Sequence, residues 1–230
     1  MISIIIPCYN EDHFLKDLLI KISLIKNLDK EIILVDDGSN QSTKGIIDFC
    51  KNENLINKVI TLEKNYGKGF ALKKGIKEAK GDIILFQDAD LEYDPLDYNK
   101  LIRPIIQNKA DVVYGSRFIG NENGQRILYF WHRVANFILT LFTNIMTNIN
   151  FTDMETGYKV FKSNIIKNIS IKENTFGVEP EVTVKLAKKK VRFYEVGISY
   201  NGRTYEEGKK IMLKDFFIAV YCIFKYRFFD

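Results

Sequence analysis

Two aspartates spaced two residues apart, Asp88 and Asp90, stand at the end of the apolar run Ile83-Ile84-Leu85-Phe86, and Glu92 continues the spacing. A short apolar run of this kind reads as a buried strand, so the carboxylates emerge where a strand ends. Hard carboxylate oxygens grouped in this way suit a divalent cation such as Mg²⁺ or Mn²⁺. Mg²⁺ is usually held by one or two carboxylates together with a substrate's phosphates. The segment Gln87-Asp88-Ala89-Asp90-Leu91-Glu92 therefore points to phosphate chemistry, with a solvated acidic turn as the alternative.

Other polar clusters carry related chemistry. Asp36-Asp37-Gly38-Ser39 follows Ile32-Ile33-Leu34-Val35. A carboxylate at such a strand end can take a ribose hydroxyl or a base N–H of a nucleotide, or cap the next helix. In Asn65-Tyr66-Gly67-Lys68-Gly69 the glycines would let the backbone approach a phosphate and Lys68 pair with it, or would form a plain helix entry. Gly115-Ser116-Arg117 closes another strand-like run, and Gly202-Arg203 and Lys209-Lys210 lie near the C-terminus. Arginine offers phosphate a fork of donors and lysine a point charge. Asp153, Glu155, Glu179 and Glu181 are candidate acid/base carboxylates, each also readable as a cap or surface charge. His13 and His132 read as packing or surface residues. The first strand is followed by Pro7-Cys8-Tyr9-Asn10-Glu11 rather than G-x-G-x-x-G, which counts against an NAD enzyme, and no P-loop spacing is present.

These residues need a frame. Strand-like runs fall at 2–6, 31–35, 58–62, 82–86 and 111–114. Helical spacing appears in Phe14, Leu15, Leu18, Leu19, Ile22 and Ile25, around Ile46, Ile47 and Phe49, and from Ala71 to Ala79. Strands alternating with helices predict a mostly parallel α/β sheet, whose ligands bind at the carboxyl ends of the strands, where the polar clusters lie. The second half holds an apolar-aromatic helical stretch over 127–149 and another from Phe216 to Phe224. The latter has basic flanks and is too short to span a bilayer; with Trp131 as an aromatic anchor it reads either as a membrane-surface helix or as one docked on the core or at a homodimer contact.

Composition narrows the partners. The chain has 230 residues, 46% of them hydrophobic, enough for one sizeable core. A net charge of +5 is too weak to indicate nucleic acid. Three scattered cysteines show no zinc or disulfide pattern, which favours a reducing compartment. No signal-peptide pattern and no long uncharged apolar stretch is found, so a cytoplasmic protein is expected, with peripheral contact to the cytoplasmic membrane face as the further expectation.

Taken in order, Ile4 to Glu11, Val35 to Ser39, Asn65 to Gly69, Asp88-Ala89-Asp90 and Gly115-Ser116-Arg117 resemble the family 2 glycosyltransferases of GT-A fold. A closer resemblance, to the dolichol-phosphate mannose synthase-like branch that glycosylates polyprenyl phosphates, rests on three segments. They are Asp88 to Pro95, Thr152-Asp153-Met154-Glu155-Thr156-Gly157-Tyr158-Lys159, and Arg203 with Gly208-Lys209-Lys210-Ile211. The resemblance implies a Rossmann-like sheet flanked by helices. It implies that Pro7, Tyr9, Glu11 and Asp36, with Lys68 and Asp88, bind the nucleotide, and that Asp88, Asp90 and Glu92 hold Mg²⁺ or Mn²⁺. Glu92 stands where the family often has Gln. Ser116, Arg117, Arg203 and Lys209 would bind acceptor phosphate, and Asp153 matches an acidic position important in the branch.

The reading that follows is inverting transfer of a sugar from a UDP- or GDP-sugar donor to a polyprenyl-phosphate acceptor, with Asp90, Asp153, Arg117 and Arg203 at the reaction centre. A phosphate acceptor is already an anion and needs no strong base. Transfer to a saccharide hydroxyl would need one, with Asp153 or Glu181 as candidates. A catalytically silent nucleotide-sugar-binding subunit is the rival from another class. Residues 1–211 are expected to form the catalytic domain. Residues 212–230 are expected to form a C-terminal amphipathic helix, belonging to the same domain or to a membrane-surface contact.

Overall fold

The computed structural model describes residues 1–120, 126, 129–204 and 213–230. The apolar runs of the first half form β1 (Ile2–Cys8), β2 (Lys30–Asp36), β3 (Lys58–Thr61), β4 (Ile83–Phe86) and β5 (Val112–Ser116). Between them lie α1 (Leu15–Ser23), α2 (Gln41–Asn52), α3 (Lys68–Glu78) and α4 (Tyr98–Ile106). The second half contributes α5 (Phe130–Thr147), β6 (Lys159–Lys162), α6 (Ser163–Lys167), α7 (Val178–Lys188), β7 (Phe193–Gly197) and α8 (Leu213–Phe228).

These strands form one seven-stranded sheet in the order β3-β2-β1-β4-β6-β5-β7. β6 runs antiparallel to β4 and β5, and every other pair is parallel. The expected mostly parallel α/β sheet is present. β6 and β7 go beyond the strands that apolar runs predict, because β6 offers only Val160 and Phe161 between lysines and β7 is interrupted by Glu195.

Side chains of a strand alternate between faces, and here both faces are covered. Ile4, Ile6, Leu34 and Leu85 pack beneath α1, α2 and α4, meeting Leu15, Leu18, Ile47 and Leu101. Ile5, Ile33, Ile84 and Phe86 face α3, α6 and α7, meeting Leu72, Ile166, Val182 and Leu186. A third cluster joins Leu139 of α5 and Val184 of α7 to Ala219, Cys222, Ile223 and Tyr226 of α8. The C-terminal helix is thus docked on the protein by one face. Lys225 and the Tyr226 hydroxyl bind Glu173 at 2.9 and 2.5 Å, and Asp230 reaches Lys185 at 2.9 Å. Among the described residues no helix is long and apolar enough to cross a membrane.

One exposed-side clamp ties the last three strands. Asp111, just before β5, accepts from Arg192, just before β7, at 2.8 and 3.0 Å, and from Lys162 at the end of β6 at 2.9 Å. Hydrogen bonds from Arg192, against a smaller opposing effect of burial, hold its carboxyl well below the usual carboxylate range. A depressed carboxylate contributes stability above its ordinary pKa of about 4 and loses that contribution as pH falls toward the folded value. Asp111→Asn is therefore expected to cost about 1 kcal/mol at pH 7. The gap in urea midpoint between the two proteins should close as pH is lowered below about 4; a gap that stays constant to pH 2.5 would show that the ion pairs do not supply it.

Candidate active site

The loops that follow β1, β2 and β3 are locked to one another by their own polar side chains. Asn10 adopts a left-handed φ of 54°, which Asn tolerates better than most residues. Its N–H donates to Ser39 Oγ at 3.1 Å, and its Oδ1 accepts from Asn40 N–H at 2.8 Å. Asp36, buried, closes its own turn by accepting from Ser39 N–H at 2.9 Å. Asp37 accepts from the N–H groups of Tyr66 and Gly67 at 2.8 and 2.7 Å, holding the third loop. Burial pushes the Asp37 carboxyl up against the lowering effect of those two bonds.

Gly67 and Gly69 serve a different end from the phosphate approach their spacing suggests. Gly67 has φ +101°, and a Cβ there would lie 2.4 Å from the carbonyl oxygen of Asn174. A Cβ on Gly69 would lie 2.4 Å from the carbonyl oxygen of Glu173. The space beside these glycines is filled by the protein's own backbone. What that contact achieves is the placing of Lys68. Its ammonium lies 2.7 Å from Asp88 and 2.9 Å from Glu179 in the first turn of α7, and its side chain is 16% exposed.

At the end of β4 the acidic segment turns sharply, with Leu91 at φ +58°, a conformation uncommon for a bulky residue and often found at functional sites. Asp90 Oδ1 accepts from Glu92 N–H at 3.2 Å, and its Oδ2 lies 2.8 Å from Arg203 Nη2. The same guanidinium reaches Glu11 and Glu92, each at 3.3 Å. Glu92 also accepts from the Arg203 N–H at 2.9 Å and from the Tyr200 hydroxyl at 2.7 Å. Three carboxylates therefore share one guanidinium. Burial, with the charges of Asp88 and Glu92, pushes Asp90 up to about 7, and Arg203 offsets only part of this.

In this arrangement Asp88 is held by Lys68, and Asp90 and Glu92 by Arg203. Among the described residues, no group of three acidic, histidine or cysteine side chains is placed to hold a metal. Glu92 is taken up by Tyr200 and Arg203 and anchors the 200–203 segment. Asp88 and Asp90 do fit a divalent cation of the kind that keeps two protein carboxylates and fills its other positions with phosphate and water. Their oxygens are hard donors, and they stand close enough together for the Asp88 charge to add to burial in raising the Asp90 carboxyl.

β5 ends in a second arginine. Arg117 forks onto Asp153, with Nε–Oδ2 at 2.6 Å and Nη2–Oδ1 at 2.7 Å, and its N–H donates to the same carboxylate at 3.1 Å. Asn136 of α5 donates to Asp153 at 3.0 Å. Burial pushes the Asp153 carboxyl up, but the charge and hydrogen bonds of Arg117 together outweigh it and hold the group below the usual range. Asp153 is thus a poor proton acceptor, contrary to its reading as a base. Glu181 is also occupied, by the N–H groups of Lys172 and Glu173 and by Lys185, each at 2.7 Å. Ser116 Oγ pairs with Thr152 at 2.6 Å and accepts from two loop N–H groups, which shapes the turn after β5. His13 is exposed and His132 packs beside Tyr129. Tyr9 is exposed and Glu11 buried. Lys209 and Lys210 lie outside the described residues.

Three contributors are not evident in the sequence. Tyr200 stands between the arginines, bonded to Glu92 and lying under the Arg117 guanidinium at 5.1 Å. Gly157 is required because a Cβ there would lie 2.3 Å from Asp88 Oδ2. Gln87 is buried, its Oε1 accepting from the hydroxyls of Tyr98 and Tyr158 at 2.7 and 2.6 Å. Gln87 and Gly157 lie in segments with a visible signal, Gln87 to Glu92 and Thr152 to Lys159, and Tyr200 does not.

The charge imbalance generates a test. Asp90→Asn removes one of the crowded carboxylates, so without metal its Tm should equal or exceed that of the wild type. The rise of a few degrees expected for the wild type with Mn²⁺ and nucleoside diphosphate should be lost. Thermal unfolding in chelator and in Mn²⁺, with UDP and with GDP, measures both; an equal Mn²⁺ response in the two proteins would remove Asp90 from the metal site.

The family model for glycosyl transferase family 2 matches residues 3–170. A UDP-N-acetylglucosamine–dolichyl-phosphate N-acetylglucosaminyltransferase of Methanococcus voltae is 30% identical over 93% of this chain and 91% of its own length. A dolichol-phosphate mannosyltransferase of Pyrococcus furiosus is 27% identical over 91% of this chain, which spans 60% of that protein. Among solved structures, the glucosyl-3-phosphoglycerate synthase of Mycobacterium tuberculosis, crystallised with Mn²⁺, UDP and phosphoglyceric acid, superposes with a TM-score of 0.77 at 17% identity, covering 100% of this chain and 79% of its own. That likeness concerns the fold. With the family model spanning most of the sheet and both aspartates of the β4 turn, this chain belongs to the family 2 glycosyl transferases.

Proposed function

We propose that this protein transfers a sugar, with inversion, from a nucleoside-diphosphate sugar to a polyprenyl phosphate. The observation that carries the reading is the pairing of a carboxylate-rich turn, Asp88 and Asp90, with two largely buried arginines, Arg117 and Arg203. The state of Asp153 and Glu181, the two bases named for a saccharide acceptor, favours a phosphate acceptor over a saccharide hydroxyl. Asp153 is bound in a fork by Arg117 and Glu181 is held by backbone N–H groups, so neither is free to take a proton from an alcohol. The named activities of the Methanococcus and Pyrococcus relatives agree with this choice.

Asp88 and Asp90 would hold the divalent cation, which neutralises charge growing on the diphosphate leaving group. Arg203, now shared among Glu11, Asp90 and Glu92, is the cation best placed to exchange carboxylates for donor phosphate. Arg117, fixed in orientation by Asp153 and stacked near Tyr200, would aim the acceptor phosphate at the anomeric carbon. Pro7, Tyr9, Glu11 and Asp36 lie at the ends of β1 and β2 and in the loop after β1, on the side where the nucleoside would sit.

Peripheral attachment to a membrane suits a lipid acceptor. The outward faces of α5 and α8 leave Trp131, Phe137, Leu141, Phe217, Tyr221 and Phe224 exposed, while their inward faces pack together. Such faces with flanking basic residues lie at anionic lipid surfaces.

Transfer, nucleotide binding and vesicle flotation test the proposal. Incubation with a polyprenyl phosphate and UDP- or GDP-sugars in Mn²⁺ should yield a lipid-linked sugar, and chelator should abolish it. Arg117→Lys, which keeps charge but loses the fork, should slow that transfer on the order of tenfold or more while nucleotide affinity stays within about twofold. Sugar transfer to saccharide acceptors alone would sink the phosphate reading, and no transfer to either would favour a silent subunit. In flotation, the protein should rise with anionic vesicles at low salt, and the double variant Phe217→Ser, Phe224→Ser should remain below; equal flotation of both would place the contact elsewhere.

A further inference from the structure

Glu181 is wholly buried, and both of its oxygens are directed to backbone. Oε1 accepts from the Lys172 N–H and Oε2 from the Glu173 N–H, each at 2.7 Å, and the Lys185 ammonium compensates the charge at 2.7 Å. A carboxylate that accepts from two N–H groups at once fixes the direction of the peptide units that carry them. Residues 172–174 are therefore set by α7. The Glu173 side chain points the other way, to Lys225 and Tyr226 of α8.

This segment is also the cap of α3. The first N–H groups of a helix have no partner within it, and no side chain caps α3 at its entry. The Asn174 carbonyl instead takes the N–H of Phe70, in the first turn, at 3.0 Å. Lys73 donates to the Asn174 side chain at 2.6 Å. The carbonyls of Glu173 and Asn174 are the atoms that a Cβ on Gly69 or Gly67 would strike. Lys68 lies between those glycines as the first residue of α3. The turn that carries it is shaped by this clasp, and its ammonium meets Asp88 at 2.7 Å and Glu179 at 2.9 Å. The first turn of α7 thus reaches Lys68 by two routes. One is direct, through Glu179; the other runs through Glu181 and residues 172–174.

We infer that Glu181 is a positioning residue of the donor site: by clasping residues 172–174 onto the entry of α3, it sets the Lys68 ammonium against Asp88. The inference rests on the nucleotide-sugar reading given above, in which Asp88 carries the divalent cation. Placement matters because a hydrogen bond from an ammonium is lost within about 1 Å of further separation. Without it the Asp88 carboxylate is free to turn away from the cation. A fixed Lys68 also puts a positive charge beside the diphosphate of a bound donor, where a charged hydrogen bond contributes to affinity.

Hydrogen exchange and nucleotide binding test the two links separately. Glu181→Gln keeps the shape of the side chain, but its amide nitrogen cannot accept, so one of the two N–H groups loses its partner. The Phe70 amide should then exchange at least about tenfold faster relative to the wild type, and by a larger factor than the amides of β1. Calorimetric titration in Mn²⁺, with UDP or GDP according to which the wild type binds, should show Glu181→Gln and Lys68→Met each weaker by roughly fivefold or more. The double variant should bind no more weakly than Lys68→Met alone, because both changes act through one ammonium. Unchanged nucleotide affinity in Glu181→Gln would overturn the inference, leaving Glu181 a prop for the fold. Losses that multiply in the double variant would also overturn it, as would a Phe70 amide that speeds up no more than those of β1. A wild type that binds neither nucleotide would overturn the donor reading, and the positioning role with it, whatever the exchange result. If Glu181→Gln fails to give a cooperative melt, Gly69→Ala, whose Cβ presses on the Glu173 carbonyl from the opposite side, is read by the same criteria.

Discussion

The rest of this structure is arranged around an excess of negative charge at the end of β4. Asp88, Asp90, Glu11 and Glu92 are brought out of water together, and a buried carboxylate without a partner is expensive. The chain answers with cations drawn from distant positions: Lys68 from the entry of α3 and Arg203 from beyond β7. Each cation is divided among several carboxylates, so compensation is incomplete, and Asp90 is left with a raised affinity for a proton. A site in this condition suits a divalent cation, whose charge would offset what Lys68 and Arg203 leave.

The second arginine shows the opposite arrangement. Arg117 and Asp153 match one to one, with both ends of the fork used. Fully paired, they have little pull on protons. Their value is in geometry, since a guanidinium locked by a carboxylate behind it presents its remaining donors in one direction. The two arginines thus differ in character: one is shared and can change partners, the other is fixed. Tyr200 connects them by bonding to Glu92 and stacking on Arg117.

How much of this the sequence discloses depends on whether the cause is local. Strands β1 to β5 are legible because runs such as Ile4-Ile5-Ile6 and Ile32-Ile33-Leu34-Val35 need burial on both faces. β6 is not, since its Lys159 is buried among carbonyl oxygens of its own loop, a satisfaction that no pattern along the chain announces. Asp88 and Asp90 are legible as a pair. Their partners are not, because Lys68 meets Glu179 across a long stretch of chain and Arg203 joins Glu11 from the far end. Gly67 and Gly69 signal a close approach, but only the fold reveals that the approaching atoms belong to residues 173 and 174. Glu92 could be placed beside the aspartates by spacing, whereas its diversion to Tyr200 depends on where β7 delivers the chain.

The position of β6 has a consequence for how the molecule comes to exist. β5 is made before β6, yet β6 lies between β4 and β5, and no pairing joins β4 to β5 directly. During synthesis, the first four strands can assemble by successive crossovers while β5 waits without an edge to join. Only when residues 159–162 emerge can β5 be joined to the other strands, and the segment leading into them brings Gly157 against Asp88 and Asp153 against Arg117. Pairings that must wait for distant sequence slow folding. A ribosome-bound chain ending after β5 therefore carries the aspartates of the β4 turn in a half-built sheet, and its active centre waits for the segments that follow.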